Sequence, residues 1–143
     1  MNDADSAIEI ANDLLEKTGD AMQAGEFQRF RDCFAVPFLL ETFEYKRLLR
    51  TEAELESVFD AVRQFRELNH ITFVIRENVA AQYVRNDTIS ATHVSRMVQR
   101  GDMLFGRPFP TYSLIKNIDG CWRLTFSQYA IEESHGLIAS LTP

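Results

Sequence analysis

Apolar and polar positions change rhythm near residue 70. Before that point apolar residues recur every three or four positions, the period of a helix with one buried face. After it they alternate, the period of strands. Ile8, Ala11, Leu15 and Met22, with Leu14 and Ala21 beside them, predict a first helix. Ser6 opens it through a capping box with Glu9, Gly19 is a place for it to bend, and Gly25 closes it. Phe27, Phe30 and Phe34 share a face of a short second helix that Pro37 stops. Leu55, Val58, Phe59, Val62 and Phe65 stripe a third helix, capped by Thr51 with Glu54 and ending near Asn69. Between the last two helices, residues 38–50 predict two short strands around Glu44-Tyr45. Two facings are open there: Leu39, Glu41 and Phe43 inward, or Phe38, Leu40 and Thr42 inward. Only one set can face the core, because the side-chain period is two.

Four strands follow, over 71–84, 88–99, 111–116 and 121–129. The first is long enough to expect a bulge near Asn78 or Ala80. Turns at 85–87, 100–102 and 117–120 and a Pro-containing loop at 105–110 separate them. On the last strand Trp122, Leu124, Phe126 and Gln128 share one face. Burying large apolar side chains is worth roughly 1.5–3 kcal/mol each, which marks that face as internal. Tyr112 and Leu114 then point inward, as do Ile89, Ala91, His93, Ser95 and Met97. The opposite face, rich in Thr, Ser and Val and holding Ser127 and Tyr129, suits a contact between two copies, a homodimer. Residues 131–143 are left as a loose arm or as cover for a sheet edge.

Composition narrows the function classes. The 143 residues fit one domain, taken as 1–143, large enough to hold a core without metal or disulfide. Cys33 and Cys121 form no CxxC pair, which fits a reducing, cytoplasmic setting. A net charge of −6 disfavours nucleic acid and anionic lipid surfaces as partners. The N-terminal residues lack a signal-peptide pattern, and no apolar run approaches the ~20 residues of a membrane span. His70 and His135 have no ligand partner at metal-site spacing, and no P-loop, GxGxxG or GxSxG is present, so neither metal nor cofactor is expected.

The order long helix, short helix, short hairpin, helix, long meander, together with AGEFQRFRDCFA and NIDGCWRLTF, resembles the NTF2-like superfamily, including its SnoaL-like and ketosteroid-isomerase-like branches. The resemblance covers about residues 5–130. It implies an α+β cone, in which a curved, mostly antiparallel sheet wraps round three N-terminal helices. An apolar pocket lies between them, and the molecule is usually a homodimer. It also implies positions for the isomerases' catalytic residues, and all three depart. Thr18 stands where their oxyanion-holding Tyr would be. Thr42, with Glu41 one residue off, stands where their Asp base would be, and Tyr112 where their second Asp would be. Steroid isomerisation by that mechanism is therefore not expected.

The candidate site follows from the inward faces. His93 is either a hydrogen-bonded core histidine or a general acid or base. Tyr112 is a candidate donor beside it. Glu41, Phe43, Trp122, Phe126 and Gln128 are candidate ligand contacts, an apolar wall with few polar groups. Two functions fit. One is a pocket for a small, largely apolar molecule, with lyase, isomerase or hydrolase chemistry run from His93. The other is a non-catalytic dimeric binding or assembly module.

Overall fold

The rhythm change near residue 70 is the junction between the helix α3 (Glu52–Leu68) and the longest strand, β3 (Ile71–Arg85). The structure is a computed structural model that describes residues 3–131 and 135–142, with side chains from Ala7 onward. Ahead of α3 lie α1 (Asp3–Ala24), α2 (Phe27–Arg31), β1 (Phe34–Glu41) and β2 (Lys46–Leu49). Beyond β3 come β4 (Thr88–Gln99), β5 (Met103–Leu104), β6 (Phe109–Ile118), β7 (Cys121–Tyr129) and α4 (Ile138–Leu141). One curled sheet runs in the order β2-β1-β7-β6-β4-β3, with β5 attached to β4. Its pairings are antiparallel except β1 with β7. The protein is α+β, with α1 and α3 on the concave face.

The helices form where the stripes put them, with one changed boundary. Helix α1 begins at Asp3, so Ser6 lies inside the helix and does not cap it; the Ser6 side chain is outside the described residues. Its buried stripe is Ala7, Ala11, Leu14, Thr18 and Ala21, mostly small residues that let the helix lie close to the sheet. It runs on through Gly19 and ends at Gly25, whose φ of 74° a glycine adopts without strain. There Glu26 N–H returns to the Ala21 carbonyl and Gly25 N–H to Met22, the paired bonds of a Schellman end. Thr51 Oγ1 accepts from Glu54 N–H at 3.2 Å and caps α3.

Phe34 opens β1 and is not part of α2, so Pro37 lies within a strand. It fits because β1 pairs with β2 only from Phe38, and its register with β7 is irregular between Phe34 and Leu39. The missing N–H therefore breaks no ladder. Phe38, Leu40 and Thr42 are the buried set of the hairpin. Phe34, Phe38, Phe30 and Phe59 pack ring against ring, with centroids 4.6–5.0 Å apart along the chain Phe38–Phe34–Phe30–Phe59.

Bulges set the facing of the long strands. In β3 the register slips between Asn78 and Ala80. In β7 Leu124 pairs with Ile115 but Phe126 pairs with Leu114, leaving Thr125 as the extra residue. The expected single face of β7 is thus split. Trp122 and Leu124 pack against the core, while Phe126 and Gln128 turn outward and Ser127 and Tyr129 turn inward. Tyr112 and Leu114, paired with Gln128 and Phe126, face outward as well, contrary to expectation. Inward on β6 are Phe109, Thr111, Ser113 and Ile115. The tail is no loose arm. Ile131, Leu137 and Leu141 are buried, and Ser140 Oγ donates to the Ala61 carbonyl at 3.3 Å.

Ile115→Ala, at a fully buried position, is expected to destabilise the fold by about 2–5 kcal/mol. Tyr112→Ala, on the outer face, should stay within about 1 kcal/mol. Urea unfolding of both variants checks the facing of β6; a reversed ranking would refute it.

Candidate ligand cavity

Between the concave sheet face and helices α1 and α3 lies a cavity of about 1040 Å³. Leu14, Val58, Met97, Ile115 and Leu124 give it apolar walls, and Leu137 and Leu141 of the tail help to line it. The exposed residues on its border, Glu16, Asp20, Gln23, Thr72 and Glu77, run along the seam between α1 and β3, where it meets solvent.

The strand register carries a polar row across this wall. Asn78 of β3 pairs with His93 of β4, His93 with Thr111 of β6, and Thr111 with Tyr129 of β7. Paired residues share a face, so all four point inward. Asn78 Nδ2 donates to Asn12 Oδ1 at 2.9 Å and ties the strand to α1. Thr111 Oγ1 is fully buried and has no partner among the described residues. One row along, Ser113 and Ser127 share a 2.8 Å hydrogen bond. On the other side of the His93 row comes Arg76, paired with Ser95.

His93 is 8% exposed, and no hydrogen bond from a described residue holds its ring. Burial, and then the nearby Arg76 charge, push its pKa down to about 3. At neutral pH it is therefore an uncharged imidazole, with one nitrogen a donor and the other an acceptor. Burial raises the Tyr129 phenol, which Arg76 opposes, so it too is neutral and a donor. Arg76 Nη2 donates to the Leu15 carbonyl at 2.6 Å and to Thr18 Oγ1 at 2.7 Å. Thr18 Oγ1 can accept because it donates back to the helix carbonyls of Leu14 and Leu15. Burial holds the Arg76 guanidinium below the usual arginine range. A Cβ on Gly19 would lie 3.1 Å from Nη2, so the bare glycine makes room for this group.

Of the seven side chains expected at the site, His93 alone lines the cavity. Tyr112 is 39% exposed on the outer face, in edge contact with Phe126 at 6.2 Å. Beside them Gln128 Nε2 donates to Glu41 Oε2 at 3.5 Å, and Lys46 Nζ meets Glu41 Oε1 at 3.2 Å. These four residues gather on the convex side because one inserted residue, Thr125, reverses the end of β7. Phe43 is 65% exposed in the turn between β1 and β2. Trp122 faces inward but packs edge-on against Tyr83 at 6.0 Å, off the cavity wall. Of the three positions matched to the isomerases, only Thr18 lines the cavity. Thr42 accepts from Tyr45 N–H in the hairpin turn.

Arg76 and Tyr129 were missed. The signal for Arg76 was present: it falls on the parity of Val74 and Asn78. Nothing in the residues of β7 announces the bulge that turns Tyr129 inward. Among the described residues no group of three or more His, Cys, Asp or Glu is placed to hold a metal. No helix there is long and apolar enough to cross a membrane.

Comparison with solved structures identifies the fold. A cystatin-like-fold protein of unknown function from Nostoc punctiforme superposes with a TM-score of 0.67 at 17% identity, covering 89% of this chain and 92% of the other. An NTF2-like protein from Novosphingobium aromaticivorans gives 0.68 at 13%, covering 96% and 90%. An NTF-2 like protein of unknown function from Shewanella oneidensis gives 0.63 at 11%, covering 87% and 98%. No protein-family model matches the chain, and no curated protein matches it. The chain has the NTF2-like cone fold, as the resemblance implied.

The low His93 pKa has a measurable consequence. The unfolded chain takes up this proton below the ordinary pKa of 6.5, whereas the folded chain does not until about 3. Stability should therefore fall as pH drops through that window. Between pH 7 and pH 5 the single site contributes a loss of about 2 kcal/mol. Denaturant unfolding of wild type and His93→Gln at both pH values checks this. The variant should lose about that much less, and equal losses would exclude a buried neutral His93.

Proposed function

We propose that this protein binds a small, largely apolar molecule in the cone, with His93 and Tyr129 as its hydrogen-bonding groups. The observation that carries the reading is the open cavity. A purely assembling module would fill its cone with Phe and Trp, whereas here Phe30, Phe34, Phe59 and Phe109 line the space without closing it. Its volume matches the upper range of small-molecule sites, roughly 300–1,000 Å³. The few polar groups on its wall are the minority that would orient a ligand.

Any lyase, isomerase or hydrolase step in this reading runs from His93. A base with a pKa near 3 removes protons poorly at neutral pH, because efficient general bases sit near the working pH. Catalysis by His93 therefore requires a ligand that offsets the Arg76 charge or relieves the burial penalty. Without it, His93 is a neutral hydrogen-bonding partner. The protein is taken to work in the reducing cytoplasm, with both cysteines as thiols.

The assembly reading keeps one supporting observation. The convex face exposes Ile75 of β3 and Tyr112 of β6, together with Leu104 of β5, on strands that each pair with β4. A second copy set face to face would cover them, so the proposed unit is a homodimer.

The neutral fluorophore N-phenyl-1-naphthylamine tests the cavity. Wild type should bind about one equivalent, and Ala91→Phe, which fills the wall beside His93, should weaken binding by on the order of ten-fold while keeping a cooperative thermal transition. Equal binding by both proteins would reject the cavity as the site. Sedimentation velocity tests the homodimer: wild type should run as two chains, and Ile75→Glu should shift it towards one. A monomeric wild type at micromolar concentration would reject the pairing.

A further inference from the structure

We propose that the molecule bound in the cone carries a carboxylate, and that Arg76 is the group that receives it. The proposal deepens the small-molecule reading above and rests on it.

Arg76 is a cation on the concave face, beside the neutral Ser95 and His93 of β4. A guanidinium has five N–H groups in one plane. The two on Nη2 are taken by the Leu15 carbonyl and Thr18 Oγ1. The three on Nε and Nη1 have no partner among the described residues. No described carboxylate lies within ion-pair distance of it. The four described ion pairs involve Lys17, Arg29, Arg31 and Lys46. The acids that border the cavity, Glu16, Asp20 and Glu77, are exposed along the seam. Charges drawn partly out of water are ordinarily paired, and this half-buried one has no described carboxylate within ion-pair distance.

The surroundings favour an anion over any other guest. Arg66 also lines the cavity, with Nη2 donating to Gln23 Oε1 at 2.7 Å, and it too is held low by burial. Two arginines thus reach the cavity, whereas the three acids on its border lie exposed along the seam. Tyr129 and His93, the neighbouring polar groups, can both donate to an oxygen. A carboxylate matches the guanidinium fork in two parallel hydrogen bonds, a geometry that an alcohol or amide does not reproduce.

The alternative is that Arg76 is only a strut, tying β3 to α1 through Nη2. A strut uses the two bonds already made and has no preference among guests. The experiment separates the two. Displacement of N-phenyl-1-naphthylamine is measured with 4-phenylbutanoate and with 4-phenylbutanamide, which are matched in size and differ in charge. Wild type should prefer the carboxylate by about ten-fold or more, the range of a hydrogen-bonded charge. Arg76→Gln should erase that preference while binding the fluorophore as wild type does, and Arg66→Gln should retain most of it. Thermal unfolding is the second readout. Ligand-free Arg76→Gln should keep a cooperative transition and melt no more than a few degrees below wild type, the cost of the two Nη2 hydrogen bonds. Loss of both stability and fluorophore binding would make Arg76 a strut. Equal displacement by the acid and the amide in wild type overturns the carboxylate even if no Arg76 variant folds, and leaves the cavity reading intact. No fluorophore binding at all overturns both.

Discussion

A strand offers each residue to one side of the sheet only, and a single inserted residue reverses every position beyond it. The inner wall of this cone depends on two such insertions. The slip in β3 lets Arg76 and Asn78 lie on the same side as Ala81 and Tyr83. Thr125 in β7 lets Leu124 and Tyr129 both reach the inside. Without Thr125, Tyr129 would face outward and Phe126 would occupy the wall. The cavity would then lose a phenol and be narrowed by a ring. The bulges thus shape the space and select its polar groups together.

That selection sets the electrostatics. Arg76, His93 and Tyr129 lie on three strands of one cavity wall, and of these three only Arg76 is charged. The Arg76 field and the scarcity of water act in the same direction on His93, holding it neutral. They act in opposite directions on Tyr129, where burial prevails. The result is a wall of donors at neutral pH. Such a wall offers donors to an oxygen, and under the carboxylate proposal the cation would favour one that carries negative charge.

The sequence made the architecture legible because that depends on long patterns. Helical stripes, cap residues and turn signals recur over many positions, and an error at one of them changes little. The three principal helices, the hairpin after α2, the long meander and the β3 bulge could all be read from the residues. The inward facing of His93 could be read too, since β4 alternates without interruption. The rest of the site could not, because it hangs on parity beyond a bulge. Phe126 and Gln128 were read correctly from Trp122 as far as Leu124, and wrongly after it. Tyr112 then followed Phe126 and Gln128 to the wrong face, since cross-strand pairing transmits the error, whereas Glu41 belonged to one of the two hairpin facings the residues leave open. Arg76 was passed over for a different reason. A lone arginine in a strand ordinarily marks the solvent side, and only its parity argues otherwise.

Several local costs meet at the same place in this fold. A glycine inside a helix destabilises it by about 1 kcal/mol relative to alanine. An unpaired guanidinium away from water is unfavourable, and so is a threonine hydroxyl with no partner. An open cavity forfeits the contacts that filling side chains would make. Gly19, Arg76, Thr111 and the vacant cone each carry one of these costs, and the cavity or its wall is common to all four. Elsewhere the chain follows ordinary rules, with capped helices, packed aromatic rings and exposed ion pairs. Departures from those rules that were unrelated would be scattered over the molecule. Their meeting at one pocket is the physical ground of the small-molecule proposal, because a guest with an apolar body and an anionic end would offset the unpaired charge and contact the open walls together.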